Sequence, residues 1–368
     1  MNCFAGTCDI SVVIPVFNEV DGIGDLLRCL ALQHNVDLEV VICDGGSTDG
    51  TVEVIRGYAG ALPFPVIVVS SEKGRARQMN TGARASRGEY LLFLHADSRF
   101  QDEHAVRKGL DAVMTCVAEN AHHRFAGRFP LRFRRSRDSR ARFYYFLECK
   151  ARLDREGCIH GDQGFLMHRG FFREAGPFDE SCPMMEDTLF AEIVRERGSW
   201  ILLPTEVRTS ARRFEAEGEG ARHILNGILM TLTAIGREDF IGRLRGVYAC
   251  QRDAAPLHLS PFLARINLLM TELTLRERCS FWRAVGRYVC ENAWQTAFCV
   301  DVLRNYRTGI PPGQARFPGL KYFDRRWRSF LTRGPVYRVA ALLVWFMFHF
   351  LRLTLALLPL RSMKTVLP

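Results

Sequence analysis

The stretch Gly88 to Phe100, GEYLLFLHADSRF, constrains this chain more than any other. Tyr90 to Leu94 is an apolar run of strand length. Gly88 bounds it on one side and His95-Ala96-Asp97-Ser98 on the other. A run that short reads as a strand buried in a parallel sheet. In open α/β sheets, ligands gather outside the carboxyl ends of the strands. Asp97 is therefore expected on a rigid support at the mouth of a cleft. A carboxylate there suits a hard divalent cation that bridges phosphate oxygens. Taken alone, the same residues also describe an ordinary polar strand exit.

Three similar units precede this strand. Ile10 to Phe17, ISVVIPVF, is the first strand, with Pro15 near its end, where a missing N–H costs least. Asn18-Glu19 stand at its exit. Gly22 to His34 carries Ile23, Leu26, Leu27 and Leu30 at helical spacing. Leu38 to Cys43 is a second strand, which runs into Asp44-Gly45-Gly46-Ser47-Thr48-Asp49-Gly50-Thr51. The glycines let the backbone turn tightly and come close to a ligand. Asp44 can accept hydrogen bonds from a base or ribose, and Asp49 can cap a helix from Thr51 to Tyr58. Pro65 to Ser70 is a third strand. Gly74 to Asn80, GRARQMN, opens a helix reaching about Ser86. Arg75 and Arg77 lie where the helix dipole and free N–H groups favour anions, or else form a solvated basic face. The alternation of strands and helices predicts a doubly wound, mostly parallel sheet with a nucleotide site along one edge.

These motifs, in this order and spacing, resemble the family-2 glycosyltransferases of GT-A fold. PVFNE, ICDGGSTDGT and the strand ending in Asp97 carry the resemblance, which covers about residues 10 to 240. GRARQMNTGA, FLHADS, GDQ and Pro183-Met184-Met185-Glu186-Asp187 are similar to one subgroup. That subgroup is the bacterial transferases associated with radical-SAM selenoproteins and arsenosugar biosynthesis. The resemblance implies a GT-A nucleotide-diphospho-sugar transferase fold with a C-terminal helical extension. It implies a donor nucleotide site of Pro15, Asn18, Glu19, Asp44, Asp49, Arg75 and Arg77, with Asp44 on uracil. An Asp-x-Asp motif holds Mg²⁺ or Mn²⁺ on the donor diphosphate in this family. Here its first position is His95, which leaves Asp97 the main metal contact. His95 then either ligates a softer ion such as Mn²⁺ or contacts the donor ribose.

Further along, Phe125 to Phe133 alternates in a way that predicts an edge strand or extended lid segment. The dense arginines of 124–142 could steer an anionic donor, touch acidic lipid, or be merely solvated. In CIHGDQG, Asp162 and Gln163 are suitable partners for sugar hydroxyls or simply part of a turn; the resemblance places them against donor sugar and acceptor. Glu186 and Asp187 open a helix running to about Arg197, where free N–H groups favour carboxylates. In inverting transfer the acceptor hydroxyl loses a proton to a positioned carboxylate. The family's Glu-Asp motif assigns that base to Asp187, with Glu186 as the alternate. Trp200 to Leu203 is a strand. EVRTSARRF, residues 206–214, resembles a segment that closes over the leaving diphosphate, and Arg212 and Arg213 are its guanidinium candidates.

Past about Glu215 the pattern becomes helical: Ala221 to Ile235, Phe262 to Arg276 and Phe281 to Arg304, with a linker or turn at Gly309 to Gly319. The expected division is a catalytic domain over 1–215 and a helical region over 216–368. Val336 to Leu360 is long enough to span a bilayer. Arg338, His349 and Arg352 interrupt it, and one mid-segment Arg costs about 2.5–3.5 kcal/mol on insertion scales. The order of expectation is a helix on or shallowly in a membrane, then a packed helix, then a true span. A net charge of +10 favours anionic partners. The 12 cysteines show no C-x-x-C pair or zinc spacing, which suits a reducing compartment. With no signal-peptide pattern, the expected location is cytoplasmic, peripheral on the inner membrane's cytoplasmic face. The donor is expected to be a UDP-sugar and the acceptor a small or lipid-linked molecule. The alternatives are a non-catalytic membrane-associated binding protein on the same fold, or a sugar-phosphate nucleotidyltransferase. The latter would want a Gly-rich loop with Arg and Lys after the first strand. Nucleic-acid binding is disfavoured, because no aromatic stacking pattern accompanies the charge.

Overall fold

The structure is a computed structural model that describes residues 8–136, 141–182, 184–251 and 256–357. It divides into two compact units, Met1–Arg212 and Arg213–Pro368. The N-terminal unit begins with the expected alternation: β1 (Ile10–Val16), α1 (Val20–Ala31), β2 (Leu38–Asp44), α2 (Thr51–Ala59), β3 (Val66–Ser70), α3 (Arg75–Ala85) and β4 (Tyr90–Phe93). Then come β5 (Arg99–Phe100), α4 (Ala105–Asn120), β6 (Phe125–Arg128), β7 (Leu131–Arg134) and α5 (Ala141–Lys150). A 3-10 turn at Gly161–Gln163 leads into β8 (Phe165–His168) and α6 (Arg169–Ala175). The unit closes with α7 (Glu186–Arg197), β9 (Ser199–Leu202) and β10 (Val207–Ser210), and α8 (Arg212–Glu217) begins at the boundary.

Seven strands form one sheet in the order β3-β2-β1-β4-β8-β6-β9. The pairs β1–β2, β2–β3, β1–β4 and β6–β9 are parallel, and β8 runs antiparallel to both its neighbours. Alternate side chains feed two cores. Val12, Ile14, Val40, Ile42 and Leu92 pack with Leu26 of α1, Ile55 of α2 and Leu110 of α4. Val13, Val41, Leu91 and Phe93 pack with Met79 of α3, Phe171 of α6 and Phe190 of α7. Strands buried on both faces must read as continuous apolar runs, which is why β1, β2 and β4 were visible in the sequence. This is the GT-A-type α/β architecture, a mostly parallel sheet with a helical region following it.

Pro15 is tolerated in an interior strand because the β1–β4 ladder ends at Val13 and Phe93, before it. The segment expected as one edge strand is instead two strands in different sheets. β6 lies inside the large sheet, between β8 and β9, while β7 is an edge of a second sheet ordered β5-β10-β7. Alternation alone does not distinguish an edge from an interior strand. The turn between β6 and β7, at Phe129-Pro130, passes the chain from one sheet to the other. Part of the arginine run is structural, not solvated. Arg128 is 1% exposed and donates to the carbonyls of Ala151 and Leu153. Residues 137–140 of that run lie outside the described residues.

At the amino ends of the strands, Glu39 is fully buried. It accepts from Ser11 Oγ at 2.7 Å and from the Arg87 guanidinium at 2.9 Å. Burial raises its pKa, but the Arg87 and Ser11 hydrogen bonds outweigh this and hold it below the usual value. Gly88 lets this corner close: a Cβ there would stand 2.5 Å from the Ser11 nitrogen.

The C-terminal unit is helical: α9 (Glu219–Ala234), α10 (Glu238–Ala249), α11 (Ser260–Glu272), α12 (Leu275–Glu291), α13 (Trp294–Arg307), α14 (Pro318–Arg326), α15 (Arg328–Leu331) and α16 (Gly334–Leu357). The helix expected over Phe281 to Arg304 breaks at Asn292-Ala293. There the Asn292 side chain bonds the Tyr288 carbonyl, a local bond that competes with helix continuation. α12 opens with a capping box between Thr274 and Glu277. The stretch expected as a linker is held to α13, because Asn305 Nδ2 donates to the Arg316 carbonyl at 2.8 Å. Asp301 accepts from the N–H groups of Gly319 and Leu320 at the start of α14. The last three residues of the apolar segment 336–360 lie outside the described residues.

Gly88→Ala is expected to lower the stability of the fold by about 2 kcal/mol, the range for overpacking a closed site. The check is a lower urea midpoint at unchanged slope. The contribution of Glu39 has a definite sign: a depressed carboxylate pKa stabilises above its unfolded value of 4.5 and is lost as pH falls below it.

Candidate functional site

The carboxyl ends of β1, β2 and β4 meet the start of α3, the 3-10 turn before β8 and the start of α7. The β1 and β2 exits are laced together. The Asn18 N–H donates to Ser47 Oγ and its Oδ1 accepts from the Thr48 N–H, both at 2.9 Å. The Glu19 N–H donates to Thr51 Oγ1 at 2.9 Å. Asp49 accepts from the N–H groups of Val20 and Thr51, at 3.1 and 3.0 Å, and so holds the starts of both α1 and α2. It does support α2 as expected, although Gly50, at φ 92°, occupies the capping position itself. Asp44 turns back on its own loop and accepts from the N–H groups of Gly46 and Ser47 at 3.1 Å. Asn18 and Asp49 therefore serve as scaffolding in this structure. A carboxylate oxygen has a second lone pair, which leaves Asp44 further acceptor capacity.

The charged centre gathers around α7. Glu186 is 5% exposed and its Oε1 lies 3.3 Å from Arg75 Nη1. Asp187 Oδ2 accepts from the Gly161 N–H at 2.7 Å, and Oδ1 from the Thr188 N–H at 2.8 Å. A Cβ on Gly161 would lie 3.0 Å from His95 Nε2 and 3.1 Å from Asp187 Oδ2, so that glycine keeps open the space between His95 and Asp187. His160 Nδ1 is 3.0 Å from Thr188 Oγ1. Met185, just before the two carboxylates, has φ 69°, a conformation costly for a side-chain-bearing residue and common at functional sites.

The two neighbouring carboxylates titrate in opposite directions. Burial pushes Glu186 up, and the charge of Asp187 adds to this against the opposing pull of Arg75. Asp187 is held low: burial acts to raise it, but the charges of His160 and Arg75 and the Gly161 hydrogen bond outweigh that. Burial pushes the His160 imidazole down to about 4, so at pH 7 it is neutral. Arg75, the Gly161 N–H and His95 also favour the ionised form of Asp187. Burial, with the charges of Asp187 and Asp97, pushes Asp162 up to about 7. Its Oδ1 is buried without a hydrogen-bond partner.

Asp97 stands between this centre and a basic rim. Its Oδ2 accepts from the Ser210 N–H at 3.2 Å and Thr209 Oγ1 at 3.3 Å, and its carbonyl accepts from Arg134 Nη2 at 3.0 Å. Arg212 reaches Glu19 Oε2 at 2.5 Å. Its pKa is raised by Glu19 and by the charge of Asp97 against the effect of burial. Among the described residues, no three His, Cys, Asp or Glu side chains are grouped to hold a metal ion.

Several expected members fall elsewhere. Gln163 is fully buried; it donates to the Cys158 carbonyl at 2.9 Å and accepts from Arg128 at 3.2 Å, so its amide serves the core and not a sugar. Arg77 is paired with Glu72, and lies 3.9 Å from Glu180. Two residues apart on a helix point to different sides, so only Arg75 joins the carboxylates. Arg213 follows Arg212 in α8 and is the first residue of the C-terminal unit. Pro183 of the Glu-Asp motif lies outside the described residues. His160 and Arg134 were not anticipated. His160 stands two residues before Asp162 in the motif already singled out, so its type and position were the available signal. Nothing in the sequence set Arg134 apart from its neighbouring arginines.

Arg75→Ala is expected to destabilise the protein by about 1–3 kcal/mol at pH 7–8, because it strands the Glu186 charge. Glu186→Gln in the same chain should restore most of the loss. A stranded carboxylate with a raised folded pKa costs stability only above its unfolded pKa. The deficit should therefore shrink as pH falls towards 4.5, in denaturation measured across pH.

Residues 11–176 match the sequence model of the family described as "Glycosyl transferase family 2". A relative from Pseudomonas fluorescens, named undecaprenyl-phosphate 4-deoxy-4-formamido-L-arabinose transferase, is 31% identical over 134 residues. That match covers 33% of this chain and 38% of the relative. An uncharacterized glycosyltransferase of Haemophilus influenzae is 32% identical over 118 residues, covering 32% of this chain and 37% of the relative. The chain thus spans well under half the length of these curated relatives. Among solved structures, a Pyrobaculum calidifontis mannosyltransferase in complex with GDP-Man and Mn²⁺ aligns at a TM-score of 0.44 and 18% identity. That alignment covers 93% of this chain and 88% of that one. Within the N-terminal unit, residues 11–176 are matched by the Glycosyl transferase family 2 domain, and the chain has its relatives among glycosyltransferases.

Proposed function

We propose that the N-terminal unit is a glycosyltransferase of the hexosyltransferase type, which moves a sugar from a UDP-sugar to an acceptor hydroxyl in one inverting displacement. The observation that carries this reading is Asp187. Against burial, this carboxylate is held below its ordinary pKa by the charges of His160 and Arg75 and by the Gly161 hydrogen bond, and its charge, with that of Asp97 past the β4 exit, acts on Asp162 in the turn before β8. A general base must be ionised when the acceptor arrives, and of the neighbouring pair Asp187 is the one whose pKa is held below its ordinary value. Glu186 acts through Arg75, fixing the guanidinium beside the base. The sugar-transferase names of the curated relatives support the reaction class. The text of GRARQMNTGA, FLHADS, GDQ and the Glu-Asp motif supports a place in the radical-SAM-associated subgroup.

In this reading the nucleoside rests on the laced loops, with Pro15, Asn18 and Glu19 shaping the floor and Asp44 accepting from the base. Mg²⁺ binds through one or two carboxylates plus substrate phosphates, so a site without a three-residue cage suits it. Asp97 and the unpartnered Asp162 oxygen would hold Mg²⁺ or Mn²⁺, which would act as a Lewis acid towards the departing diphosphate. His95 lies against Gly161 and Asp187, and we assign it to ordering the base. Asp187 takes the proton of the acceptor hydroxyl as that oxygen attacks the anomeric carbon and the bond to the diphosphate breaks. Arg75 and Arg212 face the charge left on the diphosphate.

The test joins binding and turnover. UDP or one UDP-sugar with Mn²⁺ should raise the melting temperature, since a ligand at about 100 times its Kd adds roughly 2.7 kcal/mol. Asp187→Asn should keep that shift and lose roughly 10²–10⁴-fold in turnover. Retention of most of the activity by this variant would remove Asp187 as the base. A folded protein that responds to no nucleotide would instead favour a non-catalytic member of the fold.

A further inference from the structure

We propose that the C-terminal unit docks on an anionic bilayer surface, with α16 lying in the plane of the interface. α16 is long and apolar enough to cross a membrane, yet its surroundings are not those of a span. One side is taken by protein: α12 and α16 pack along each other, and α11 and α15 also touch α16. The approach is closest at Gly286 of α12, where a Cβ would stand 2.5 Å from the Ala341 nitrogen. Trp282 of α12 meets Phe348, ring centroids 5.4 Å apart.

The opposite side is an unpartnered stripe. Val339, Leu342, Leu343, Phe346, Phe350 and Leu353 follow i, i+3, i+4, i+7 spacing, and each is more than half exposed. Arg338, His349 and Arg352 fall on one flank between the stripe and the packed side, so lipid on all sides would bury them. A helix with protein behind it, apolar side chains in front and basic groups on a flank fits the headgroup boundary.

The approach to this helix supplies the charge complementarity. Lys321, Arg325, Arg326, Arg328 and Arg333 are exposed, and among them stand exposed Tyr322, Trp327 and Phe330. Aromatic rings settle at the membrane–water interface, and clustered basic residues favour anionic lipid. Arg333 lies 5.6 Å from the Phe330 ring centroid, which joins the two elements of the pattern. The inference rests on the C-terminal unit alone and is independent of the reaction proposed above.

The experiment is co-sedimentation of the full chain with vesicles of phosphatidylcholine alone, and of phosphatidylcholine mixed with phosphatidylglycerol. The expected result is binding to the mixed vesicles, about tenfold or more weaker to the neutral ones, and weakened by salt. Leu342→Ser with Phe346→Ser should lower binding about a hundredfold, with the circular dichroism spectrum unchanged. Arg325→Glu with Arg328→Glu should erase the preference for anionic vesicles. Equal binding to both vesicle types would overturn the proposal. So would resistance of the bound protein to alkaline carbonate, which marks a span. A dimer in light scattering that Leu342→Ser dissociates, without vesicle binding, would assign the stripe to a second copy of the chain instead.

Discussion

Two carboxylates side by side at the first turn of a buried helix cannot both ionise cheaply, and the rest of the N-terminal site is arranged around that constraint. Arg75, from the start of α3, is the cation that Glu186 and Asp187 share. The helix start contributes its own free N–H groups, and the Gly161 N–H adds a bond to Asp187 alone. The asymmetry matters more than the sum. Burial pushes Glu186 towards protonation, while the charges of His160 and Arg75 and the Gly161 hydrogen bond outweigh burial at Asp187 and hold it low. Environment, not residue type, separates two acids into different roles.

That arrangement holds only if three distant segments keep their places within fractions of an ångström. The sheet provides the reference, since β1, β2 and β4 are packed on both faces and cannot shift without disturbing two cores. Above it, Asn18, Asp49 and Thr51 tie the first two strand exits to each other. Gln78 donates to the carbonyls of Val16 and Cys43, both at 2.7 Å, fixing α3 to the same exits. Arg75 lies three residues before that anchor. The polar groups that look most like ligands in the sequence are thus partly spent on rigidity, and the ligand-facing chemistry falls to the few that remain.

The fold was largely legible because its main strands are short apolar runs separated by helices of clear periodicity, and because turn residues mark each exit. The site was legible as types and positions but not as assignments. Arg75 and Arg77 are equal in the sequence; the helix turns them apart, and only one meets the carboxylates. Gln163 sits in a motif with Asp162, yet a 3-10 turn sends one side chain into the core and leaves the other among charges. Residues 125–133 alternate as one strand would, but they cross between two sheets. His160 gained importance only through its distance from Thr188 and its burial.

The sequence by itself determined the order of strands and helices, the doubly wound sheet, and the end of it where polar residues collect. It also determined the presence of an apolar segment, Val336 to Leu360, long enough to span a bilayer. These are consequences of local pattern, and local pattern is what a one-dimensional reading can see. The tertiary structure alone decided which carboxylate is ionised, which arginine is near it, which oxygen stays without a partner, and which face of α16 is left uncovered. Each of those depends on groups brought together from far apart in the chain, as Arg75 and Glu186 are, and on burial that strengthens every charge so placed.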